Sequence, residues 1–249
     1  MPIAVGQHNL EIQANAEHWR RKPLLQKIYR DFYVEIAGQL RRDLPGRTVE
    51  IGSGIGNLKT VVPEALATDI FPNPWLDQVE NAYALSFAEG SVVNLILFDV
   101  WHHLEFPGTA LREFLRVLAP GGRLIIFDPA MGMLGRLVYG LFHHEPLNLT
   151  QTISWFAPAD FSPERMTYYA AQGNAHRVFF SDDFSSQLSE WRIVRRNRFA
   201  GIPYIASGGF SGPQLYPEKF YAGLRVVDRA ASRWPAIFAT RLLIALEKK

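Results

Sequence analysis

The chain has 249 residues, 48% of them apolar and 20% charged, the composition of one large globular domain or of one domain with a sizeable insertion. Its formal net charge of +2 is too small to point to nucleic acid, and the absence of cysteine excludes disulfides, thiolate metal sites and a cysteine nucleophile. Met1 to Leu10 lacks the basic start and apolar core of a signal peptide, and no uncharged apolar run approaches the roughly 20 residues that span a bilayer. A cytoplasmic monomer or homodimer is therefore expected, with no transmembrane segment, and peripheral membrane contact is left open.

His18 to Leu40 reads as one amphipathic helix, because Leu25, Ile28, Phe32, Ile36 and Leu40 recur at three- and four-residue steps. Asp43-Leu44-Pro45-Gly46 then predicts a turn. The next stretch, Thr48 to Asn57 (T-V-E-I-G-S-G-I-G-N), is a short β-branched run that breaks at once into Gly52, Gly54 and Gly56. Such a pattern is a buried parallel strand ending in a tight turn that lets a ligand approach bare backbone. A brief helix is predicted over Leu58–Val62, a second strand over Leu66–Ile70, a turn or two of helix over Trp75–Glu80, and a third strand over Tyr83–Phe87. Val92 to Val100 is almost wholly apolar until Asp99, as a central strand covered on both faces would be.

A helix follows over Thr109–Leu118, ended by Pro120-Gly121-Gly122, and then a fifth strand over Arg123–Asp128. Pro129 to Asp183 is rich in Pro, Tyr, Phe and His and, after a helix over Gly135–Phe142, has no clean period; it reads as an insertion or cap. Strand character resumes over Trp191–Phe199, Gly201–Pro217 reads as a loop, Glu218–Arg233 as a helix and Ala239–Leu246 as a last strand. Strands alternating with helices predict an α/β doubly wound, mostly parallel sheet. From His176 onward Lys and Arg number 12 against 6 Asp and Glu, with Arg192, Arg195, Arg196 and Arg198 together. That cluster is either a patch for an anionic substrate or a solvated strand face.

The glycine spacing separates two cofactors. A dinucleotide fingerprint, G-x-G-x-x-G, needs its third glycine where Asn57 stands. E-x-G-x-G-x-G, starting at Glu50, instead resembles the first motif of class I S-adenosylmethionine-dependent methyltransferases of the type 11-like kind. Asp69 at the end of the second strand, the Asn81 to Phe87 run, Phe98-Asp99-Val100-Trp101-His102-His103-Leu104, the helix Glu113 to Leu118, and Ala119-Pro120-Gly121-Gly122 before a strand match in order, so the resemblance covers Arg47 to Pro129. It implies a Rossmann-like sheet of seven strands, the last antiparallel. It divides the chain into an N-terminal helical lid (1–45), an S-adenosyl-L-methionine-binding domain (46–130 and 186–249) and a cap for substrate (131–185).

By the same resemblance Gly52, Ser53, Gly54, Gly56 and Asn57 bring backbone to the methionine part of the cofactor, and Glu50 either helps hold its amino end or orients the turn. Asp69 is expected to accept hydrogen bonds from both ribose hydroxyls. Ile70, Phe71 and the Ala82–Leu85 run, Ala84 included, are expected at the adenine, and Asp99, Val100 and the residues to His102 at the methyl group. Methyl transfer to a sugar hydroxyl calls for a base, for which His103 and His102 are candidates in that order. His144, in His143-His144-Glu145, is the third; that group could instead cap a helix end. Read as metal ligands, it fails for want of H-x-x-x-H spacing and because adjacent residues on an extended segment point to opposite sides, so no metal is expected. Asp128 either meets substrate or begins the next loop.

Lys22 to Tyr29, E-I-G-S-G-I-G-N-L-K, T-D-I-F-P-N-P-W-L-D and H-H-E-P together resemble a bacterial subgroup associated with polysaccharide and glycoconjugate assembly. The expected activity is O-methylation of a small molecule or sugar-bearing precursor. C- or N-methylation of a lipid, quinone or secondary metabolite, and a non-catalytic binding protein of the same fold, stand as alternatives. Trp155, Phe156, Phe161, Tyr168, Tyr169, Phe179 and Phe180 either meet the acceptor or form the core of the insertion.

Overall fold

The computed structural model describes residues 5–143, 145–165, 168–210 and 212–249. The chain opens with α1 (Val5–Arg21) and α2 (Pro23–Ala37) where one helix was expected. Pro23 is the reason: it lacks the N–H that would continue the first helix, and its fixed φ suits the first position of the second. Lys22 between them leaves helical geometry, with φ −119° and ψ 78°. The stripe read from the sequence is nevertheless the buried one, since Leu25, Ile28 and Ile36 of α2 are sealed from solvent.

Then come β1 (Arg47–Ile51), β2 (Leu66–Asp69), β3 (Gln78–Val79), β4 (Val92–Phe98), α3 (Pro107–Val117), β5 (Leu118–Pro129), α4 (Met133–Phe142) and α5 (Asn174–Phe180). The chain closes with β6 (Trp191–Phe199), α6 (Ile202–Ala206), α7 (Tyr221–Ala231), α8 (Pro235–Phe238) and β7 (Arg241–Lys248). One seven-stranded sheet has the order β3-β2-β1-β4-β5-β7-β6, and β7 alone runs antiparallel to its neighbours, as expected. The reversal of strand order between β1 and β4 opens a crevice at the carboxyl ends of these strands, where ligands bind in open α/β sheets.

β4 sits at the centre because its side chains suit both faces. Leu95 and Leu97 enter the core shared with Leu111 and Phe114 of α3, and Ile96 the core shared with Tyr29 and Ile36 of α2. Its one polar residue, Asn94, is buried but satisfied: Oδ1 accepts from Arg41 N–H at 2.8 Å, and Nδ2 donates to Arg41 O and Thr48 Oγ1 at 3.0 Å. Among the described residues no helix is long and apolar enough to cross a membrane.

Three expectations are corrected. The third strand is not Tyr83–Phe87 but Gln78–Val79, inside the stretch expected to be helical. Tyr83, Leu85 and Phe87 do alternate into the core, yet side chains take the backbone groups a strand partner would use. Leu85 N–H donates to Glu113 at 2.7 Å, Ser86 N–H to Glu80 at 2.8 Å, and Arg116 donates to the carbonyls of Leu85 and Phe87 at 2.9 Å. The Gly201–Pro217 loop contains α6. After the glycines there is a single 3-10 turn, Asn57–Thr60, rather than a helix. The arginine cluster lies on β6, the edge strand; Arg192 pairs with Glu247, and Arg198 covers the Phe180 ring at 4.7 Å. It is a solvated, charged edge of the kind that discourages strand addition.

Phe127 of β5 holds the α2 face together, stacked on Phe98 at 5.1 Å and packed on Phe32 at 4.9 Å with no exposed surface. Phe127→Ala is expected to cost about 3–5 kcal/mol of stability, the usual range for emptying such a site. Urea unfolding should show a lower midpoint at unchanged slope.

Candidate active site

At the end of β1 the chain turns through Gly52, Gly54 and Gly56, with φ of 71°, 54° and 67°. Gly52 is there for space as well as conformation. A Cβ on it would lie 2.3 Å from Val100 Cγ2, so the turn can seat flush against the end of β4 only without a side chain. Ser53 stitches the turn to β2: its N–H donates to Thr68 O at 2.8 Å, and its Oγ accepts from Thr68 N–H at 2.9 Å. Asp69 closes the stitch, accepting from Gly54 N–H at 3.0 Å on one oxygen and from Ile70 N–H at 2.7 Å on the other.

Above this turn lies a cavity of about 550 Å³. Glu50, Gly52, Ser53, Gly54, Asn57, Asp69, Ile70, Phe71, Asp99 and Val100, all expected at the cofactor, line it. Gly56 and Ala84 do not. Gly56 packs under the turn near Trp75, while Ala84 faces solvent and its neighbour Ala82 lines the cavity instead. Glu50 is nearly buried, and its Oε2 has no hydrogen-bond partner. Burial, together with the nearby Asp69 charge, pushes its carboxyl up to about 8. A buried acceptor without a donor is what a ligand's ammonium group would complete, so the cavity fits the amino end of S-adenosylmethionine.

At the end of β4 Asp99 takes φ 55°, the one positive value at a non-glycine among the described residues. Its carboxylate pairs with Arg241, whose guanidinium is buried against the Tyr204 ring at 4.5 Å. Arg241, Tyr29, Tyr33 and Tyr204 all line the cavity, and none of them was expected at the site from the sequence. The one usable signal was Arg241, a charge heading an otherwise apolar strand.

The chain then enters a 3-10 turn, Trp101–His103, anchored by the fully buried Trp101 against Phe179. His102 is buried, with Nδ1 2.9 Å from Asp128 Oδ1 and Nε2 3.4 Å from Glu145 Oε2. His103 is partly open; its Nδ1 lies 2.9 Å from the Tyr169 carbonyl and its Nε2 3.6 Å from Glu145 Oε1. Glu145 is fixed in turn, because Tyr168 Oη donates to Oε1 at 2.5 Å and Gln172 Nε2 donates to Oε2. Asp128, expected to meet substrate or begin a loop, does not line the cavity; it is buried and holds His102. His144 lies outside the described residues. From its tripeptide Glu145 joins the histidine pair, and His143 lines the cavity beside it.

The two histidines are driven in opposite directions. Burial lowers His102, but Asp128 and Glu145 outweigh it and hold the imidazolium up at about 10. Burial and the adjacent His102 charge push His103 down to about 4. Burial opposes the charge of Glu145, yet the histidines and Tyr168 hold its carboxyl well below the usual range.

Residues 49–126 match the family model described as a methyltransferase domain. No curated protein matched the chain. Among solved structures, an S-adenosylmethionine-dependent methyltransferase of Thermotoga maritima is similar over 96% of this chain and 99% of its own, at 15% identity and TM-score 0.54. The geranyl diphosphate C-methyltransferase of Streptomyces coelicolor A3(2), solved with Mg2+, geranyl diphosphate and S-adenosyl-L-homocysteine, is similar over 89% of this chain and 79% of its own, at 12% identity and TM-score 0.54. At such identity the likeness is one of fold.

Placing a cationic amino group beside Glu50 favours its carboxylate, so cofactor binding should release a proton below pH ~8 and tighten as pH rises from about 6 to about 7.5, at most ~10-fold per unit. Calorimetry of S-adenosylmethionine binding in buffers of different ionisation heat measures this. Glu50→Gln should bind more weakly and release no proton; proton release unchanged in that variant would place the titrating group elsewhere. Asp69→Ala should weaken binding at least ~10-fold, a loss of about 1.4 kcal/mol.

Proposed function

We propose that this chain, a class I S-adenosylmethionine-dependent methyltransferase by its domain and its fold, places the cofactor's methyl group on a hydroxyl oxygen of a small-molecule or sugar-bearing acceptor. One observation carries the reading: His102, His103 and Glu145, braced by Asp128 and the Tyr169 carbonyl, meet beyond Asp99 and Val100 in the same cavity as the glycine turn. An amine can attack a sulfonium carbon once positioned, whereas a neutral hydroxyl needs somewhere for its proton to go.

The cofactor supplies an activated methyl group with its own leaving group. As the oxygen–carbon bond forms, the carbon–sulfur bond breaks with its electron pair left on sulfur. The hydroxyl proton leaves to the His103–Glu145 pair, His103 offering Nε2 because Nδ1 is spent on Tyr169. His102 is a positioning residue in this reading, since it is buried, meets the other carboxylate oxygen of Glu145 and is itself held by Asp128. The acceptor's carrier is read from α4, where Met133, Leu137 and Leu141 recur at four-residue steps and stand exposed, continuing into exposed Phe142. An apolar stripe beside His143 supports an acceptor carried on a lipid chain and peripheral contact with a membrane.

Incubation with methyl-labelled cofactor and a panel of sugar and lipid-linked acceptors, with the product read by NMR, should place the label on oxygen. Label on carbon or nitrogen would overturn the reading. His103→Ala and Glu145→Gln should each lower kcat by ~10²–10⁴ while cofactor affinity stays within about threefold.

A further inference from the structure

We propose that His102 Nε2, His103 Nε2 and a carboxylate oxygen of Glu145 are ligands of one divalent transition-metal ion, with a fourth position open to the acceptor's hydroxyl oxygen. The inference rests on the O-methylation reading for that fourth ligand only; the three protein ligands stand on geometry. These atoms lie within 4.8 Å of one another. The Nε2–carboxylate separations of 3.4 and 3.6 Å are longer than a normal hydrogen bond of about 2.7–3.2 Å. The first is close to the edge of a tetrahedron with metal–ligand bonds of about 2.0–2.1 Å, roughly 3.3–3.4 Å; the second is slightly longer and runs to the other oxygen, Oε1, so the carboxylate must turn to present one oxygen to an ion held by both nitrogens.

The surroundings are those a metal site needs. Each histidine spends Nδ1 on an acceptor, Asp128 for one and the Tyr169 carbonyl for the other, which leaves Nε2 as the atom that faces inward; on His102 the ion must displace the Nε2 proton that the imidazolium otherwise carries. Both carboxylate oxygens of Glu145 are oriented, by Tyr168 and by Gln172. Two imidazoles and one carboxylate suit ions from manganese to zinc and disfavour magnesium and calcium, which prefer all-oxygen shells. Three protein ligands with one open position is the plan of a catalytic rather than a structural site. With the ion held, His103 Nε2 is no longer free to take the proton and the ion replaces that role: a hydroxyl bound there becomes more acidic and loses its proton to solvent at the cavity mouth, and the resulting alkoxide oxygen takes the methyl group, with the carbon–sulfur pair left on sulfur. The HHE tripeptide alone could not make this set. It contributes Glu145, and the loop after β4 contributes the two nitrogens.

The test uses full-length, tag-free protein stripped with EDTA and titrated with Co2+, followed by visible absorption and by Zn2+ competition in calorimetry. One Co2+ per chain with intense four-coordinate bands is expected. Glu145→Gln and His103→Asn should each weaken uptake at least ~10-fold, and Asp128→Asn by ~10–100-fold through its grip on His102. S-adenosylmethionine binding, measured on the same samples, should be unchanged in the Glu145→Gln and His103→Asn variants and shows that they are folded. No saturable uptake by protein that binds S-adenosylmethionine, or equal uptake by the Glu145→Gln and His103→Asn variants, overturns the proposal. Full activity of the EDTA-stripped protein with label on oxygen would sink the metal and leave the O-methylation reading standing. Label on carbon with Co2+ held by this trio would do the reverse, removing only the hydroxyl as fourth ligand.

Discussion

The pair of buried Arg241 and half-buried Asp99 is the constraint on which the site depends. A guanidinium in an apolar strand is tolerable only with a carboxylate at hand, and removing one partner of such a pair leaves an uncompensated charge costing about 3–5 kcal/mol. That need reaches across β5, because Arg241 heads β7 while Asp99 ends β4. It also accounts for backbone that would otherwise be unfavourable. Asp99 adopts left-handed geometry, which aspartate tolerates better than most residues, while its N–H donates to Phe127 O at 2.8 Å. The kink directs Val100 back onto Gly52 and carries the next residues over the cavity. One ion pair therefore sets both the seat of the glycine turn and the placement of the histidines.

The cavity has two electrostatic ends, made by different means. At the turn, Asp69 is satisfied by backbone N–H groups, and Glu50 is left with a bare oxygen and a pKa raised by burial. That end is poised to gain from a cation. At the other end the protein supplies its own cation, with His102 between Asp128 and Glu145. A ligand with a positive amino end and a sulfonium meets complementary charge at the first and, at the second, the cluster proposed above to take up a proton.

How much of this was legible follows from how local each signal is. The β1 turn, Asp69, the doubly covered β4 and the stripe of α2 are patterns of neighbours in sequence, and each stands where the periodicity put it. The errors lie where tertiary contacts override local pattern. Tyr83, Leu85 and Phe87 alternate like a strand, but Glu80, Glu113 and Arg116 satisfy their backbone, so no ladder is needed. Asp128 stood between a substrate contact and the start of a loop because it ends a strand at the crevice, and only the folded chain shows its carboxylate turned under His102. Glu145 was read with the two histidines beside it in sequence; the fold joins it to the other pair, which no spacing rule reports.

The opposite fates of His102 and His103 show what the fold adds to a dipeptide. In sequence they are neighbouring candidates, His103 only slightly preferred. In space, Asp128 lies under one ring and a neutral carbonyl beside the other, so the first is stabilised as a cation and the second kept as a lone-pair donor. The carbonyl belongs to Tyr169, and the groups that orient Glu145 belong to Tyr168 and Gln172. A single short stretch of the irregular region after α4 thus sets the chemistry of residues in the turn that follows β4. Changes in that stretch would alter how an acceptor is handled without touching the glycine turn, which is how one cofactor site can serve many acceptors.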